Sequence, residues 1–129
     1  MIQSQFQFSD PVLTKLTFLI NNKDLTKQEA KEIPIKAQTQ IGMQTENTAI
    51  VSLTIDVGEE SENCLFYISV TMQASFRWDE KSTRDMADKL LKSNAPALLL
   101  GYIRPHIAQI TEASPINTVH IPFMNFTEQ

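Results

Sequence analysis

"FYISVTMQASFRW", residues 66–78, decides the fold. Phe66, Ile68, Val70, Met72, Ala74, Phe76 and Trp78 take every second position, and Tyr67, Ser69, Thr71, Gln73, Ser75 and Arg77 stand between them. A period of two sends successive side chains to opposite faces, so this run predicts a long strand with one buried face and one wetter face. Working back, Ala49, Val51, Leu53, Ile55 and Val57 alternate with Ser52, Thr54 and Asp56 between Thr48 and Val57, and the charged "GEESEN" closes that strand. Before it, "IPIKAQTQIGM" (33–43) places Ile33, Ile35, Ala37, Ile41 and Met43 on one side, with Pro34 tolerable only near a strand start or an edge. Leu16, Phe18 and Ile20 form a first strand that "NNKD" turns.

Past Trp78 the period changes. Ser82 and Asp85 have the spacing of a capping box, and Met86, Leu90 and Leu91 then recur at helical intervals. Asn94 is placed to cap a second helix with Pro96 in its first turn. Leu99, Ile103, Ile107 and Ile110 form its apolar stripe, and Pro115 stops it. Pro105 would press on the carbonyl of Gly101, so a bend is expected there. Strands followed by helices specify an α+β fold: a four-stranded antiparallel sheet, then two helices packed on one face. The whole chain, 1–129, reads as a single domain.

Composition narrows the function. At 42% hydrophobic, 129 residues can bury roughly two thirds of the unfolded surface. Cys64 is the one cysteine, which excludes an internal disulfide and a Cys-rich zinc site and fits a reducing compartment. "MIQSQFQFSDP" has neither the basic flank nor the apolar run of a signal peptide, and no segment reaches the ~18 apolar residues of a membrane span. A soluble, cytoplasmic protein without membrane insertion is expected. A net charge of −4 with scattered basic residues argues against nucleic acid.

The supply of catalytic groups is poor. His106 and His120 lie outside any metal motif, Cys64 has no basic neighbour in sequence, and Gly42, Gly58 and Gly101 build no phosphate loop. No catalytic residue, metal or cofactor is expected, and the chain reads as a non-enzyme. What stands out is apolar surface: Phe76, Trp78, Tyr102, Ile103, Phe123, Met124 and Phe126 gather late in the chain. Extended peptides bind by laying alternate side chains into such places while their backbone pairs with a strand edge.

Asn94 and Pro96, "LLLGYIR" with Tyr102 and Arg104, Ile107, Thr111, and "IPFMNF" with Pro122, Asn125 and Phe126 make up a pattern that resembles the SecB family of export chaperones. "FRW" precedes it at the place the family would have it. Members usually carry a proline where this chain has Gly101, and a glycine-containing turn where it has "TEASPIN". The resemblance implies an ATP-independent holdase that binds unfolded or partly folded polypeptides in an apolar groove, in protein export. It equally implies the alternative of a dedicated SecB-like accessory protein for one partner, of the toxin–antitoxin, mobile-element or phage kind.

By that resemblance Phe76, Trp78, Tyr102, Phe123 and Phe126 are the groove candidates. A homotetramer built as a dimer of dimers is implied, its interfaces made by first-strand edges and long helices, with Ile68, Val70, Met72, Leu99, Ile103, Ile107 and Ile110 as contributors. Many members engage SecA through an acidic zinc-binding tail, whereas this sequence ends at Gln129 without one.

Overall fold

A computed structural model, which describes residues 6–21, 33–61, 63–114, 116 and 118–126, turns the alternation of residues 66–78 into the central strand of an antiparallel sheet. The strands are β1 (Phe6–Phe8), β2 (Val12–Ile20), β3 (Ile35–Thr45), β4 (Thr48–Gly58) and β5 (Phe66–Trp78). On one side β5 pairs with β4, which pairs with β3; on the other it pairs with both β1 and β2. Phe6 lies opposite Trp78, and Val12 to Ile20 run opposite Gln73 to Phe66.

The sheet therefore has five strands where four are read from the sequence, because β1 is too short for an alternation to register. Ser9, Asp10 and Pro11 separate β1 from β2, and Ser9 N–H still donates to Ser75 O at 3.0 Å. At the other end of β4, Gly58 has φ +78°, and a Cβ there would run into the carbonyl of Phe66. A residue without Cβ is what this turn requires.

The helices join differently from the sequence reading. Thr83, and not Ser82, caps α1 (Arg84–Lys89), its Oγ1 accepting from Met86 N–H at 3.2 Å. Asn94 caps nothing: its backbone is right-handed helical and its side chain makes no capping bond. A π-helical turn, Leu90–Asn94, carries the chain from α1 straight into α2 (Ala95–Glu112). Ala95 N–H donates to Leu90 O five residues back, immediately before Pro96, which has no N–H to offer the ladder. So the two expected helices are one helical run with a wide turn where a proline enters. Helix α2 passes through Gly101 and Pro105 without interruption, and both residues are exposed.

The core lies between α2 and one face of the sheet. Ala49, Val51, Leu53 and Ile55 of β4, Ile68 and Val70 of β5, and Leu99, Ile103 and Ile107 of α2 have no accessible surface. On the far face hydroxyls and amides bond across strands, as Thr54 Oγ1 with Thr71 Oγ1 at 2.7 Å and Ser52 Oγ–H with Gln73 Oε1 at 3.3 Å. Such pairs stabilise a solvated face without apolar burial.

Candidate functional site

Strand register shows which side chains share a face. Ile35, Ala37, Ile41 and Met43 of β3 stand opposite Val57, Ile55, Val51 and Ala49 of β4, hence on the side that α2 covers. The cover stops between the two strands. Residues of β4 are sealed, while Ile35 and Ile41 are each 38% exposed and Met43 is 58% exposed. β3 ends the sheet order, so its outer edge has no strand partner among the described residues. From Ile35 to Met43, at about 3.3 Å per residue, this makes a largely apolar shelf about 30 Å long, interrupted by Thr39 opposite Leu53 and bounded by an open backbone edge. Between Ala37 and Thr45 the shelf carries no charge or proline of the kind that blunts free edges. The opposite flank, on β2, leaves Leu13 and Leu16 exposed on the same side.

The aromatic candidates separate into two groups. Phe76, Trp78 and Phe126 are core residues. Trp78 N–H donates to Asn47 O at 3.1 Å, and the Asn47 side chain returns a bond from Nδ2–H to Trp78 O at 3.1 Å. Tyr102 and Phe123 are exposed, at 43% and 82%. Phe123 belongs to the C-terminal segment 118–126, which folds back along α2: Val119 N–H donates to Thr111 Oγ1 at 2.8 Å, and Arg104 Nε–H donates to Ile121 O at 2.6 Å. Ile121 and Phe126 anchor that segment in the core, and the Arg104 guanidinium lies 4.1 Å above the Phe123 ring. Arg104 thereby holds an aromatic ring out in solvent. Phe8, a residue the sequence reading passed over, stacks on Phe76 with centroids 6.0 Å apart while nearly half exposed.

Ile68, Val70, Met72, Leu99, Ile103 and Ile107 all fall within the subunit's own core, and Ile110 is half-buried. The face that α2 turns outward is instead Ala97, Gly101, Tyr102, Pro105 and Gln109. Ile35, Ile41, Met43, Leu13 and Leu16 were missed as surface because alternation identifies a side of the sheet and not what covers it. Strand order, which the structure supplies, identifies the strand after "NNKD" and the one before it as the flanks that a single helix over β4 and β5 leaves partly uncovered.

Among the described residues no group of three or more His, Cys, Asp or Glu side chains could hold a metal, and Cys64 is buried and free. No helix among them is long and apolar enough to cross a membrane.

Residues 3–128 match the family model described as preprotein translocase subunit SecB. No curated protein sequence gives a match. Among solved structures, the SecB-like chaperone Rv1957 of Mycobacterium tuberculosis, in complex with a ChAD peptide from the Rv1956 HigA1 antitoxin, superimposes with a TM-score of 0.66 at 10% identity, over 93% of this chain and 91% of that one. A Streptococcus agalactiae protein of unknown function superimposes with a TM-score of 0.54 at 16% identity, over 92% of this chain and 97% of that one. At such identities the two structures share the fold alone, and it is the family match over nearly the whole length that places this chain: it belongs to the SecB family.

Proposed function

We propose that this protein is an ATP-independent holdase whose client lies along the uncovered β3 shelf. The observation that carries this reading is the step from sealed β4 to open β3 on one largely apolar face. An extended client would extend the sheet at the β3 edge and set alternate side chains against Ile35, Ile41 and Met43. Its backbone bonds do not depend on sequence, and its apolar contacts are many and weak, which suits a protein that must take varied segments. Binding the unfolded state draws it away from aggregation by mass action, without nucleotide. Tyr102 and Phe123 extend the binding surface as exposed aromatics; Phe76, Trp78 and Phe126 support it from the core.

The same reading has residues 1–129 acting as one SecB-like domain in the cytoplasm, without catalysis, in a tetramer built as a dimer of dimers that serves protein export, with or without SecA. The core positions of the interface candidates give them a supporting role, with the outward face of α2 and the β2 edge available to a second copy. A second reading, a chaperone dedicated to one partner, is favoured by the structural likeness to a SecB-like chaperone carrying an antitoxin peptide. Mixing the protein with a chemically unfolded client tests the first: light scattering should fall at near-stoichiometric ratios. If generic clients aggregate undisturbed while one co-encoded protein is protected, the dedicated reading replaces it.

A further inference from the structure

A cavity of about 330 Å³ opens at the end of the sheet, where β1 and β5 meet the β3–β4 hairpin. Gln7, Ser9, Gln44, Thr48, Ser75 and Arg77 supply its polar lining. Register sets Arg77 between Gln7 and Thr48, in alternation with the core residues Ala49 and Phe76, so this wall rises on the face turned away from α2. Phe8 and Phe76 complete the lining, which includes none of the shelf residues Ile35, Ile41 and Met43.

Arg77 is exposed, and its Nη2–H donates to Gln7 Oε1 at 2.6 Å. That is its only side-chain hydrogen bond among the described residues. A guanidinium has five N–H donors, and a neutral carbonyl fixes its direction without cancelling its charge. The remaining fork matches a carboxylate, which accepts two parallel N–H bonds. Ser9 Oγ already accepts from Ser75 N–H at 2.9 Å, which leaves its own O–H to donate. Gln44 lines the same cavity.

We propose that this pocket binds a carboxylate presented by a polypeptide. One cation matches one negative charge. A phosphate dianion or a polyanion would face a single guanidinium on a chain of net charge −4, which repels it. The pocket is open to solvent and not enclosed, so a carboxylate carried on a polypeptide can enter it.

The test titrates the 15N-labelled full chain with three blocked or part-blocked Ser/Gly octapeptides: one with an internal Glu, one with Gln in its place, and the Gln peptide with a free C-terminal carboxylate. Shifts of the Ser75 and Arg77 amides should report binding of at least one carboxylate peptide about tenfold tighter than the blocked Gln peptide. Whichever carboxylate binds identifies the source as a side chain or a chain end. Arg77→Gln should abolish the difference and Arg77→Lys should restore part of it, because lysine keeps the charge and loses the fork. Unfolded-client binding on the shelf should be unchanged in both variants. Equal binding of all three peptides, carboxylate preference that survives Arg77→Gln, or tighter binding of inorganic phosphate would overturn the proposal.

Discussion

Replacing Ile41 and Met43 together by threonine removes most of the apolar shelf while keeping strand-forming residues. Fully burying an aliphatic side chain is worth about 1.5–3 kcal/mol, and a bound client can bury only what remains exposed. With 38% of Ile41 and 58% of Met43 still accessible, the pair offers about 1.5–3 kcal/mol to a client. Losing it should weaken binding about tenfold to a hundredfold. Fluorescence anisotropy with a labelled, permanently unfolded client reads the dissociation constant, and light scattering with the same client reads protection. The comparison variant is Tyr102→Ser with Phe123→Ser, which strips two exposed aromatics that extend the surface, leaves the shelf intact and should cost less affinity than the shelf pair. Unchanged affinity in the shelf variant, with a folded spectrum, would refute the placement of the client on β3. A large loss in the aromatic variant alone would move the site to the C-terminal segment.

Two further changes probe the frame that holds the shelf. Gly58→Ala meets a left-handed backbone and the Phe66 carbonyl at once, so urea unfolding should show a loss of about 1–3 kcal/mol. Thr111→Val keeps the volume but removes the acceptor for Val119 N–H, at about 1–2 kcal/mol. Faster amide exchange confined to residues 118–126 is the expected signature, and uniform exchange across the sheet would contradict the local role given to Thr111.

The long strands were legible because each alternation exceeds what chance supplies: β5 runs for 13 residues and β4 for 11. The stripe Leu99, Ile103, Ile107 was legible for the same reason at helical period. Asn94 misled because its residue type favours capping, whereas its backbone lies inside a helical run that α1 had already started. Pro96 was the better clue, since a missing N–H disturbs any helix that continues through it. Phe76, Trp78 and Phe126 show a different limit: a core aromatic and a pocket aromatic have the same spacing, and only the packing, which buries all three, separates them. Met43 shows the converse, since it alternates as faithfully as Leu53 and yet lies in solvent.

That last contrast has a geometric cause. An α-helix with its side chains is about 10 Å across, and strands lie about 4.8 Å apart, so one helix laid over β4 and β5 covers about two strands. The sheet carries a long strand on either side of that pair, β2 and β3, and each is only partly covered on the helix side: Phe18 and Ile20 pack on the core, while Leu13, Leu16, Ile35, Ile41 and Met43 are exposed. A chain that folds and works alone would place polar residues there. This chain places Leu13 and Leu16 on one flank and Ile35, Ile41 and Met43 on the other. Under the holdase reading the two flanks have different tasks. β2 carries Lys15 and a register shift beside it, devices that discourage open-ended pairing and suit a single fixed neighbour such as a second copy. β3 from Ala37 to Thr45 has no charge, and its irregularity is confined to the hairpin end, which leaves a long uniform edge that accepts strands of any sequence. The asymmetry predicts that mutating Leu16 to lysine lowers the oligomer mass with little effect on the intrinsic affinity of the shelf, while Ile41 and Met43 variants do the reverse.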